Sequence, residues 1–245
     1  MILREKKKSE GFGLIEIMIA LVLGLVLVLG ITQIFASSRQ TALVQDASAT
    51  LQEDARYVLT RMTQELRMAG MFGCLSLASG SISNVPVAFD NPISWDGPNS
   101  TLRIITSNAT QAVDQTSNAD WTLVTDCRTG GTVEVGAAAP AAGEIALPIR
   151  QIAYRLNDVD NILEVSRSGG AFQPLIGNVK SLDIQFGIAA SPGDTFVSGN
   201  YVAPATVANP AVIRSVRIAL VLEDENQRTA EQEYTVVAAL RNRLL

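Results

Sequence analysis

The residue that most needs a chemical account is Glu16, the only charge between Gly11 and Ile31. A carboxylate in so apolar a stretch costs a few kcal/mol on insertion scales and marks function, with a cationic partner to be identified. Ahead of it Arg4, Lys6, Lys7 and Lys8 stand against Glu5 and Glu10, and a basic patch before an apolar run keeps the N-terminus cytoplasmic while the remainder is exported. Cys74 and Cys127 are the only cysteines, too far apart for a CxxC redox or zinc motif. Among the 245 residues there is no histidine, which removes Ser-His-Asp and Cys-His catalysis, His-ligated metals and a switch near neutral pH. Carboxylate-pair chemistry stays formally open, but the acids are scattered through Ser/Thr/Gly-rich loops in the manner of a solvated surface. The expectation is a protein that is not an enzyme and needs no cofactor or metal. With 19 basic and 24 acidic residues the net charge is -5, which argues against nucleic acid as the main partner.

Three accounts of the N-terminal segment compete. A secretory signal peptide has an apolar core of about 7–15 residues and a small-residue cleavage site, for which Ala36-Ser37-Ser38 is only passable. A plain signal anchor fits the length, since at about 1.5 Å per residue the stretch 11–31 spans roughly the 30 Å of a hydrocarbon layer. It gives no reason for Glu16. Cutting between Gly11 and Phe12 supplies one: a new α-amine four residues before Glu16, close enough along a helix for the charges to meet within one chain or between neighbouring subunits.

Gly11-Phe12-Gly13-Leu14-Ile15-Glu16, followed by Ile17-Met18-Ile19-Ala20-Leu21, resembles the prepilin signature of type IV pilins and type II secretion pseudopilins. The resemblance implies a prepilin peptidase that cuts after Gly11 and methylates Phe12, with Glu16 acting in assembly. Gly13 stands where threonine or serine is more usual.

Beyond the apolar run, Leu43, Ala47, Leu51, Ala55, Val58, Leu59, Met62, Leu66 and Ala69 recur in steps of three and four, the stripe of an amphipathic helix. No proline intervenes before Pro86, so the spacing predicts one helix from Phe12 to about Ala69, capped by Gly70 and roughly 87 Å long at about 1.5 Å per residue. The competing reading is a membrane helix plus a separate amphipathic helix hinged near Ser37-Ser38. The expected domains are a leader over 1–11, a transmembrane and polymerisation helix over 12–35, its amphipathic continuation over 36–70, and a β-rich periplasmic head over 71–245.

In the head the composition turns to Ser, Gly, Asn, Thr and Pro with short apolar alternations, the pattern of strands and loops. Leu182, Ile184, Phe186 and Ile188 form one strand face. Val212, Val216, Ile218, Leu220 and Leu222 form a second, shared with Arg214, and Tyr234, Val236, Ala238 and Leu240 a third. The segment 152–165 reads as a hairpin turning at Asn157-Asp158-Val159-Asp160-Asn161, since Asn and Asp accept tight-turn geometry. The Gly/Ala-dominated stretch 130–143 is expected to be a flexible loop, and the loops from about Ser76 to Pro148 match nothing recognisable. In an oxidising periplasm Cys74 and Cys127 are expected to form a disulfide, closing a loop of about 50 residues for roughly 2–4 kcal/mol; the alternative is two buried thiols.

Stripe and strand faces fit together if the second half of the helix lies along an antiparallel sheet, the ladle-shaped α+β architecture that pilins share. Ala69-Gly70-Met71-Phe72-Gly73-Cys74, Ile152-Ala153-Tyr154-Arg155-Leu156 and Val237-Ala238-Ala239-Leu240-Arg241-Asn242-Arg243-Leu244 are similar to the PilW family of type IV pilus minor pilins. That resemblance implies a structural subunit of the inner membrane, single-pass with a periplasmic head and later part of the fibre at the cell surface. Its partners would be other minor pilins, the major pilin, the prepilin peptidase and the inner-membrane assembly platform, and its task would be to prime pilus assembly at or near the tip. The alternatives are a GspJ-like minor pseudopilin of a type II secretion system and, more remotely, a signal-anchored periplasmic binding module. Gly24 and Gly30 would permit close helix approach. Asp158, Asp160 and Asn161 are explained by the turn more simply than by calcium. Asn99-Ser100-Thr101 and Asn108-Ala109-Thr110 match sequons at the frequency this Ser/Thr content gives by chance, and Arg241 and Arg243 read as solvated charges in preference to partners in ion pairs across subunits.

Overall fold

The computed structural model describes residues 13–75, 80–107 and 118–243. The proposed processing junction, Gly11 and Phe12, the sequon at Asn108 and part of the 76–148 region lie outside them. The chain forms two compact units, residues 1–48 and 49–245. A single helix, α1 (Leu14–Arg67), contributes to both. It is helical through Ser37-Ser38, so the hinge that would have made two helices there is absent.

Within the second unit the helix is one-sided. Leu51, Ala55, Val58, Leu59, Met62 and Leu66 are buried, at the three-and-four spacing that places them on one face. Leu43, assigned to that stripe from its spacing, is 44% exposed. The helix ends as expected: Gly70 has φ +74°, a left-handed conformation that glycine adopts without a Cβ penalty. Its N–H leaves the helix and donates to the Ile105 carbonyl at 3.0 Å.

Two sheets carry the remaining strands, one eight-stranded and mixed, the other three-stranded. The first holds β1 (Ile82–Ser83), β2 (Ile93–Asp96), β3 (Thr101–Ser107), β4 (Trp121–Thr125), β5 (Gly131–Val135), β6 (Ile145–Asn157), β7 (Ile162–Arg167) and β8 (Gln173–Ile176). β6 is its spine: β3 pairs along one edge, while β4 takes the first part of the other edge and β7 the second. The second sheet is β11 (Gln232–Ala239), β10 (Ile213–Leu222) and β9 (Val179–Ile188), in that order and antiparallel throughout. The head is therefore not purely antiparallel, because β1 runs parallel to β5.

Alternation predicted β9, β10 and β11 well. Ile184, Phe186, Val216, Ile218, Leu220 and Ala238 all lie in one core with the helix face and with Leu102, Ile104, Tyr154 and Leu163 of the large sheet. The β6–β7 hairpin turns over 158–161, with Asn157 paired to Ile162, Asn161 at φ +54° and the Asn157 side chain bonded to Asp160 and to the Val159 N–H.

Two expectations fail. The region 76–148 is not all loop, for it contains β1 to β5 and the start of β6, and the Gly/Ala-rich stretch 130–143 begins with β5. That strand forms because Thr132 and Val133 are β-branched and Val133 buries against a second core of Phe72, Ile82, Phe89, Ile105, Leu123 and Ile149. Phe72 stacks on Phe89 at 4.1 Å, and Phe89 meets Trp121 edge-on at 5.3 Å. Arg214 also departs from a simple strand-face reading. A register shift separates Ile213 from Ser215, and the buried guanidinium donates to the carbonyls of Pro192, Asp194, Ala211 and Ile213. It thereby ties the β9–β10 connection to the sheet.

Cys74 and Cys127 are joined, with Cα atoms 5.5 Å apart. The bridge links the chain leaving α1 to the β4–β5 turn. There the Asp126 carboxylate accepts from the Thr129 hydroxyl and, at Oδ1, from the N–H groups of Arg128, Thr129 and Gly130, and these bonds hold its carboxyl well below the usual range. Gly73 beside the bridge has φ +148°, and a Cβ there would fall 2.8 Å from Leu123 Cδ2.

Cys74→Ser is expected to lower the stability of the head by about 2–4 kcal/mol in oxidising buffer, and to make no difference under reduction, measured by urea unfolding in both. A second test uses the β10–β11 turn, where Arg228 donates from its side chain and its backbone N–H to Asp224 and holds that carboxyl at about 2. A depressed carboxyl contributes stability above its unfolded value, 3.8, and loses it as pH falls toward 2. Asp224→Asn should therefore flatten the acid limb of the stability profile between pH 4 and 2.

Candidate functional site

The candidate site is the start of α1. Gly13 is the last residue before the helix, and its carbonyl accepts the N–H groups of Glu16 at 3.1 Å and Ile17 at 3.3 Å. Glu16 thus lies in the first turn, where its negative charge complements the positive end of the helix dipole. Gly11 and Phe12 precede the described residues, so the distance from Glu16 to a processed amine is not among the observed geometry.

Around and after Glu16 the surface is apolar on every side. Each large apolar side chain from Leu14 to Phe35 is between 55% and 78% exposed. Full burial of one such side chain is worth about 1.5–3 kcal/mol, so a bare surface of this extent in water is strongly disfavoured. By length and composition the helix can cross a membrane. The polar residues inside it are accommodated: Thr32 Oγ1 donates to the Leu29 carbonyl at 2.9 Å and Thr41 Oγ1 to the Ser37 carbonyl at 3.0 Å, which leaves neither hydroxyl proton seeking a partner in an apolar phase. Among the described residues nothing lies within 4 Å of a Cβ at Gly24 or Gly30; both leave shallow places on the helix surface. What this segment can do chemically is limited to covering itself, in lipid or against other helices, with one carboxylate to be neutralised.

A polar cluster in the head was not foreseen. Tyr154, fully buried on β6, donates its hydroxyl to Glu65 on α1. Arg61 Nε lies 3.4 Å from the other carboxylate oxygen, and its NH1 donates to the Tyr57 hydroxyl at 3.2 Å. Burial pushes the Glu65 carboxyl up, opposed by the tyrosine bond and by Arg61, and burial with the Glu65 charge pushes the Tyr154 phenol up as well. Arg61 and Glu65 are four apart on a helix, a spacing legible as an ion pair, but nothing in sequence announces a partner on β6. Among the described residues no group of acids and cysteines is arranged to hold a metal ion. Asp160 and Asn157 of the β6–β7 turn bond to each other.

Residues 6–32 match the prokaryotic N-terminal methylation motif. No curated protein matches the chain in sequence. Among solved structures, a type IV-like pilin from Thermus thermophilus superposes with a TM-score of 0.40 and 10% identity, covering 80% of this chain and 98% of that one, a likeness too distant to support an argument by itself. The methylation motif on an exposed apolar helix, continued by a helix face packed on β-sheet, supports a pilin-type structural role.

Because the Glu65 carboxyl is raised, its ionisation in the folded state costs stability as pH rises through and above 4.5, its ordinary value. Tyr154→Phe removes the donor that favours the ionised form. It should destabilise the head by about 1–3 kcal/mol at pH 7 and by less at pH 4, measured by chemical denaturation at both.

Proposed function

We propose that this chain is a minor pilin: a structural subunit, made as a prepilin, that joins other minor pilins to prime assembly of a type IV pilus at or near its tip. The observation that carries the reading is the methylation motif over residues 6–32, with Glu16 in the first turn of a helix whose apolar surface is open on all sides. The basic leader 1–11 directs insertion into the inner membrane with the head in the periplasm. A prepilin peptidase hydrolyses the Gly11–Phe12 bond and methylates the amine of Phe12. The inner-membrane assembly platform then moves the subunit from lipid to fibre, against other minor pilins and the major pilin.

The transfer is physically undemanding for most of the segment. A helix satisfies its own backbone hydrogen bonds in either environment, and apolar side chains lose little on exchanging lipid for neighbouring helices. Glu16 is the exception. Carried into a fibre without a cation, its charge would be buried unpaired at a cost of several kcal/mol; set against the methylated amine of a neighbour, it fixes the axial register of the incoming subunit. The resemblance of 69–74, 152–156 and 237–244 to PilW supports a pilus over a secretion pseudopilus.

Glu16→Ala tests this. Membrane insertion and head folding should be unchanged, since the head packs without residue 16. Leaving the neighbour's amine buried and unpaired is worth about 3–5 kcal/mol, so incorporation into sheared filaments should fall by about a hundredfold or more. Normal piliation, with normal co-purification of other minor pilins, would overturn the proposal.

A further inference from the structure

At the end of α1 the inner face of the large sheet outruns the helix. The ladder sets Thr106 opposite Arg150 and Ile152 opposite Arg167. Alternation therefore places Arg150 and Arg167 on the same sheet face as Tyr154, the residue that meets the helix. Together with Arg67 from the last turn of α1 and Arg241 from the C-terminal turn they line an open recess of about 490 Å³. Four arginines thus line one cavity, with Glu65 the only acid lining it among the described residues. That carboxylate is already engaged by Tyr154 and Arg61.

The carbonyls at the helix end do not explain the cluster. Met68 O accepts from Thr106 Oγ1 at 2.8 Å and Ala69 O from the Asn242 side chain at 3.3 Å. Ser107, which also borders the recess, pairs with Ile149, so alternation turns its side chain to the opposite face of the sheet. Arg150 is held in place by its Nε donating to the Asn118 carbonyl at 3.2 Å, while Arg67, Arg167 and Arg241 are exposed at the rim.

Like charges gathered at one cavity repel, and on a chain of net charge -5 this concentration of arginine runs against the overall balance. Guanidinium forks match the paired oxygens of phosphate and carboxylate groups. The volume lies within the usual range of small-ligand sites. We propose that this recess binds a small, soluble, multivalent oxyanion of the phosphate or polycarboxylate class, held by Arg67, Arg167 and Arg241. The site stands whether or not the chain polymerises.

The test is thermal unfolding of the full chain in nonionic detergent, titrated with pyrophosphate or citrate against chloride at equal ionic strength, and in a separate arm with micelles doped with phosphatidylglycerol. Pyrophosphate or citrate should raise the transition midpoint saturably. The double variant Arg67→Gln/Arg167→Gln should weaken the apparent affinity at least tenfold, and Arg241→Gln severalfold. Both variants should keep the wild-type midpoint in chloride or exceed it. No saturable response to either anion, an undiminished response in the double variant, or a response to the doped lipid alone would overturn the proposal.

Discussion

From Leu14 to Phe35 the helix presents large apolar side chains in every direction, with more than half of each exposed, and nothing among the described residues covers them. That unmet burial governs the first unit. It selects a helix, because only a helix keeps every backbone group bonded while its whole circumference faces an apolar phase. Either lipid or other apolar helices satisfy it, so the same segment can act as an anchor or as a packing element without changing its fold. On the function proposed above, the one carboxylate against this uniform background, Glu16, would carry the positional information: an apolar surface slides, and a buried charge pair does not.

The same helix meets the opposite condition in the second unit. From Leu51 onward only one face is apolar, and it is covered by both sheets at once. Leu102, Ile104, Tyr154 and Leu163 come from one sheet and Ile184, Phe186, Val216 and Ile218 from the other, all in a single core. The helix exit is then held from several directions. Gly70 turns the chain so that its N–H reaches Ile105, Gly73 fits where a Cβ would collide with Leu123, and the Cys74–Cys127 bridge fastens the segment to the β4–β5 turn. The second core of Phe72, Phe89 and Leu123 forms under that fastening, where Phe72 of the exit segment stacks on Phe89 and packs with residues of β4 and β5.

What the sequence made legible was set by period and range. A three-and-four stripe from Leu43 to Ala69 and alternation in β9, β10 and β11 are local signals that led to the right elements, except that Leu43 is exposed and Val212 lies in a short 3-10 turn ahead of β10. β5 was missed because Val133 and Val135 are its only apolar residues and just Val133 is buried, Val135 being 86% exposed, too short an alternation to stand out. Arg214 was misread because its partners are backbone carbonyls, which no residue type advertises. The Tyr154–Glu65 bond joins positions 89 apart, and the arginines of the recess, at 67, 150, 167 and 241, converge only through the β3–β6–β7 register. At the N-terminal segment the situation is reversed: Glu16 and the junction at Gly11-Phe12 stand out in the sequence, while the structure describes the helix only from its first turn.

The central claim is that removal of the leader creates the amine that Glu16 requires. The most direct measurement is the intact mass and N-terminal peptide of the chain purified from membranes and from sheared filaments. The account predicts a single species beginning at Phe12 and carrying one added methyl group. A chain still beginning at Met1 in the filament fraction, or one beginning after Ser38, would contradict it.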